Sequence, residues 1–103
     1  MKTAILIAAL LTATSAQADD KAPRNEYCAS AGRMAELVMD ARQKERPMSV
    51  MMQLKVDPKI SELYESMVMN AYNQQAFLTD ENKQRAIKEF RNAAELECYK
   101  SVK

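Results

Sequence analysis

Apolar residues recur at intervals of three and four along nearly the whole chain beyond residue 25, and no stretch alternates with a period of two. That spacing predicts a series of helices, each with one buried stripe, and no strand. Between Asn25 and Arg46 the stripe is made by Tyr27, Cys28, Ala31, Met34, Ala35, Leu37, Val38 and Ala41. Asn25 is placed to cap this helix. Arg42, Lys44 and Arg46 complement the negative end of its dipole, and Pro47 stops it. Gly32, the only glycine, lies inside it at a cost of about 1 kcal/mol relative to alanine, which predicts a close helix approach at that turn.

Met48 to Val56 is short and apolar. Ser49 is placed to cap about two helical turns through Val50, Met51, Met52 and Leu54. Asp57-Pro58 is a restart signal, because Asp accepts from the free amides of a helix start and Pro at the first position gives up an N–H that has no partner. Ile60, Leu63, Tyr64, Met67, Val68, Ala71 and Tyr72 then make the cleanest stripe in the chain. The pattern fades at Asn73-Gln74-Gln75. Thr79 with Asp80 and Glu81 opens a last helix buried through Ala86, Ile87, Phe90, Ala94 and Cys98. The fold class is therefore all-α, a small bundle of three long helices plus one short helix, with no internal repeat.

The segment before residue 25 has a different character. Lys2, the apolar run Ala4 to Leu11 and the small-x-small triplet Ala16-Gln17-Ala18 match a secretory signal over residues 1–18, cleaved after Ala18. The apolar run is too short for a permanent membrane anchor, and no cysteine stands at the cleavage point to carry a lipid. The expectation is a periplasmic or secreted protein with no membrane span after cleavage. Residues 19–24 then form a flexible polar leader, and residues 25–103 a single helical domain of a size that supports one core. Removing Lys2 changes fifteen basic against fourteen acidic side chains to fourteen against fourteen. A neutral, interspersed surface speaks against a nucleic-acid binder, which needs a one-signed field. Asp40 with Lys44 and Glu81 with Arg85 fall at favourable i,i+4 spacing.

In an exported chain, Cys28 and Cys98 read as a disulfide, since neither sits in a C-x-x-C motif and the chain has no histidine to complete a metal site. The bridge requires α-carbons within about 7 Å. Three helices running simply up, down and up would leave the start of the first and the end of the last about 30 Å apart. The bridge therefore requires an extra reversal, and the Pro47–Asp57 segment is long enough to supply it.

Chemistry is sparse. Glu62 with Glu65, and Glu95 with Glu97, are near neighbours, but neither pair shows the contrasting environments that acid–base catalysis needs. Ser49, Ser61 and Ser66 lack a histidine base, and one glycine cannot build a phosphate loop. No enzymatic activity and no cofactor are expected. Tyr27, Tyr64, Tyr72 and Tyr99 read as rings packed at helix surfaces with wet hydroxyls, or as an aromatic binding face. The methionines fit three roles: fillers of an irregular helical core, a Cu(I) site at Met48, Met51 and Met52, or an adaptable surface. The last role places contact with an unidentified protein partner at Met48, Val50, Met51, Met52 and Leu54.

The string Ala35-Glu36-Leu37-Val38-Met39-Asp40-Ala41-Arg42-Gln43, followed by Met51-Met52, Ala71-Tyr72, Phe90 and Cys98, resembles a group of small exported proteobacterial helical proteins of unknown function, some of them prophage-associated. The resemblance implies a bridged helical domain of the periplasm and carries over no catalytic residue. In architecture the chain is also similar to acid-activated periplasmic chaperones, although those bridge cysteines closer together in sequence. The function expected is that of a protein-interaction module, an inhibitor or accessory subunit. An acid-stress chaperone and a methionine-rich Cu(I) binder are the alternatives.

Overall fold

The first helix is longer than its stripe predicts. The computed structural model describes residues 2–102, with side chains from Lys21 onward, so the signal segment expected over 1–18 lies outside the described side chains. Helix α1 spans Lys2–Gln43 and contains Pro23. Asn25 consequently sits within a helix and is not its cap, which corrects the expected start. Its side chain instead accepts a hydrogen bond from the Tyr99 hydroxyl at 3.1 Å.

At its other end α1 stops before Pro47, by backbone geometry. The Glu45 amide donates to the Arg42 carbonyl and the Arg46 amide to the Ala41 carbonyl, at 2.9 and 3.0 Å. Glu45 takes a left-handed φ of 58°. These nested bonds and that backbone form a Schellman cap, usually built on glycine.

Helix α2 is a single stretch, Met48–Met52, entered from Pro47 with no side-chain cap. Ser49 lies inside it, so the expected serine cap is absent. Asp57 accepts from the Lys59 amide at 2.9 Å and, with Pro58 at the first position, starts a 3₁₀ turn over Pro58–Ile60. That turn leads into α3, Ser61–Tyr72. Helix α4 covers Asp80–Ser101, and the Thr79 hydroxyl caps it by accepting from the Asn82 amide.

Cys28 and Cys98 are bonded, with α-carbons 5.5 Å apart. The contacts along α1 and α4 then follow in antiparallel order. Arg24 donates to the carbonyls of Tyr99 and Val102 at 2.8 and 2.7 Å, Glu36 meets Arg91 at 3.1 Å, and Lys83 donates to the Gln43 carbonyl at 2.8 Å. Helix α3 runs in the same direction as α1. Its Met67 packs with Ala31 and Ala35, and the carbonyls just beyond its end, on Gln74 and Gln75, accept from Arg42 and Gln43. Two helices can be parallel neighbours only if the chain between them travels back, and residues 44–60 make that return. The reversal required by the bridge is present.

The core joins Val38, Met39, Tyr64, Val68, Ala71 and Ile87, with Met51 covering it from α2. Tyr64 donates to the Met51 carbonyl at 2.6 Å, which fastens the return segment to α3. Burial pushes this phenol above its ordinary pKa, and the nearby Tyr72 adds to the shift. Buried Gln43 holds the α3–α4 loop from both sides of its amide, donating to the Gln75 carbonyl and accepting from the Phe77 amide.

At Gly32 the neighbour is α4. The Glu95 side chain lies across the glycine, and a Cβ there would stand 2.7 Å from Glu95 Cγ. Glu95 in turn pairs with Arg91 at 2.6 Å, which also reaches Glu36. These carboxylates keep the Arg91 guanidinium protonated beyond its ordinary range.

Candidate functional site: a groove between the third and fourth helices

Helices α3 and α4 both lie against α1 but hardly approach each other. The gap between them closes at one end, where Ala71 and Ile87 share the core, and opens toward the disulfide. It forms a groove of about 510 Å³. Its floor comes from Tyr27 and Ala31 on α1, where the i,i+4 spacing puts both on one face. One wall is Leu63, Ser66, Met67 and Asn70 on α3; the other includes Phe90, Ala93, Ala94 and Glu97 on α4. The lining is mainly apolar, and its size lies within the range of sites that hold ligands or partner side chains.

Each lining position has a local cause. Met67 is buried against Ala31 and Ala35, with Phe90 and Ala94 alongside, so the base of the groove is an extension of the core. Leu63 stands one turn earlier on the same helix and remains 39% exposed, because no helix packs beyond it. Tyr27 is 46% exposed for the same reason. The disulfide fixes the end of α4 on the start of α1, and Cys98 lines the groove there. Arg24 adds a second fastening by bonding the last carbonyls of α4 and lying over the Tyr99 ring at 4.9 Å.

Of the residues expected to meet a partner, one is buried. Met51 is only 6% exposed and belongs to the core, which removes it from the expected contact set. Met52 is half-buried, while Met48, Val50 and Leu54 are exposed. Met39 and Met67 fill the core, and Met69 is exposed. Glu95 is committed to Arg91, Glu97 stands at the groove, and Glu62 and Glu65 are exposed on α3. Among the described residues no helix is long and apolar enough to cross a membrane.

Tyr27, Leu63 and Phe90 were legible as stripe members, but nothing in the stripe marks them as the wall of a groove. The signal is one of supply: α3 has a broad apolar face and only part of it is met by α1 and the return segment. No family model, curated protein or solved structure matches the chain.

Proposed function

We propose that this chain is a small exported, non-enzymatic protein of the periplasm that acts by binding another protein, as an inhibitor or accessory subunit, and that the groove between α3 and α4 is its contact surface. The groove itself is the observation that carries this reading. It is an open, mainly apolar gap of about 510 Å³ between helices already braced on α1. A surface of that kind loses free energy to water when empty and regains it when a complementary apolar face covers it. The disulfide supports the oxidising compartment, since such bonds persist outside the reducing cytosol.

The test compares the disulfide-bonded protein with Leu63→Glu as bait in a periplasmic extract. Leu63 is partly exposed, so a charge there spoils the groove without entering the core. The wild-type chain is expected to retain one partner in near-equal amount, and Leu63→Glu to lose it. Recovery of no stoichiometric partner, or equal recovery by both, would overturn the proposal.

A further inference from the structure

The two ends of the bridge differ in access. Cys28 is 0% exposed, so nothing in solvent touches its Sγ while the chain is folded. Cys98 is partly exposed and lines the open end of the groove, a lining in which Cys28 has no share. The sequence around Cys98 accounts for the opening. Ala94, Ser101 and Val102 lie one turn either side of it and line the groove with it, and none is bulky enough to roof that sulfur.

Thiol–disulfide exchange proceeds by attack of a thiolate on one sulfur of the bond it breaks, so access decides which sulfur is attacked. We propose that Cys98 is a thiol-exchange site: the folded protein exchanges its bridge with external thiols through Cys98 alone, with the groove as the path of the attacking sulfur. Cys28 is then the sulfur that leaves and later reseals.

The incoming thiolate supplies the electron pair of a new S–S bond to Cys98. The pair of the Cys28–Cys98 bond departs on Cys28 Sγ, which takes up a proton. A second external thiolate attacks the outer sulfur of this mixed disulfide and frees Cys98 as a thiolate, so two external thiols are oxidised to one disulfide and the bridge is reduced. In the reverse direction the Cys98 thiolate attacks an external disulfide, and Cys28 displaces the external thiol by attacking the Cys98 sulfur. Cys98 is the point of contact both ways.

Arg24 keeps the opening local. Its bonds to the Tyr99 and Val102 carbonyls, with the Tyr99 hydroxyl bonded to Asn25, hold the end of α4 on α1 without using either sulfur. Cys28 therefore stays beside Cys98 in the mixed disulfide, and resealing competes with release. The inference does not depend on the protein-binding reading, and a partner seated in the groove would cover Cys98 and block the exchange.

The probe is 2-mercaptoethanol, a thiol without other charge, chosen because Glu97 and Lys100 stand close to Cys98 in the chain. The disulfide-bonded protein is exposed to it briefly without denaturant, quenched in acid, alkylated and digested, and the mixed disulfide at each cysteine is counted by mass spectrometry. At least about ten adducts on Cys98 are expected for each on Cys28, against near equality in concentrated urea, where both sulfurs are open. Ser101→Phe places a ring beside Cys98 from an exposed position and, with helicity verified by circular dichroism, is expected to slow native exchange at least about fivefold. Leu96→Phe, about 200° around α4 from Cys98 and outside the groove lining, is expected to leave the rate unchanged. No exchange without denaturant, equal labelling of the two cysteines, a preference for Cys28, or equal rates for Ser101→Phe and the parent would overturn the proposal. So would a rate that climbs with urea from the lowest concentrations, since that is the mark of exchange through global unfolding.

Discussion

At the scale of single residues, Gly32 shows what a close helix approach can consist of. A glycine inside a helix sacrifices stability, and the usual compensation is a neighbouring backbone. Here the compensation is a seat for Glu95, which crosses the bare Cα to reach Arg91. Restoring a methyl group at this position improves helix propensity and displaces that carboxylate. We therefore expect Gly32→Ala to give little or no gain by itself, while in a Glu95→Ala background the same change stabilises by about 1 kcal/mol. Urea unfolding of the four proteins in this cycle measures the difference. Equal gains in both backgrounds would mean that Glu95 does not limit the site. The position of Gly32 was legible from sequence, but Glu95 is sixty-three residues away, and only the antiparallel pairing of α1 with α4 brings it there.

At the scale of elements, sequence signals worked where the cause is local. Thr79 caps α4, Asp57-Pro58 starts a turn, and the ion pairs Asp40–Lys44 and Glu81–Arg85 form at 2.9 and 3.7 Å. They failed where two faces of one helix competed. Leu37, assigned to the stripe, is 70% exposed, whereas Met39, omitted from it, is fully buried. Both are apolar and lie about 200° apart on the helix, so the choice depended on where α3 and α4 settled. The end of α1 was assigned to Pro47, but the Schellman cap ends it earlier at the expense of a left-handed glutamate. Glu45→Gly removes the Cβ penalty at that position and is expected to stabilise the protein by about 1 kcal/mol, less the extra entropy of a glycine in the unfolded chain. A rise in thermal midpoint checks this; a fall would show that Glu45 makes a compensating contact.

At the scale of the whole molecule, the bridge between Cys28 and Cys98 closes seventy residues of chain and fixes the open end of the groove. On the chain-entropy model, its loss costs about 4 kcal/mol, a large share of the stability of a domain this small. Cys28→Ser/Cys98→Ser is expected to unfold at much lower urea than the parent. The reduced parent should behave in the same way. An unchanged midpoint would mean that the Arg24 clamp and the core suffice to hold α4 on α1.

Periodicity determined the helical class, and the absence of histidine with a lone cysteine pair determined the bridge, because these depend on residue type and local spacing. The bridge in turn required the extra reversal, a global fact obtained from a local one by geometry. The groove belongs to tertiary structure alone. A stripe states how much apolar surface a helix must cover, but which part is left uncovered depends on how far α3 and α4 stand apart on α1. No single segment of the sequence contains that separation, because Met67 of α3 and Phe90 of α4 meet only in the cluster they share with Ala31 and Ala35 of α1.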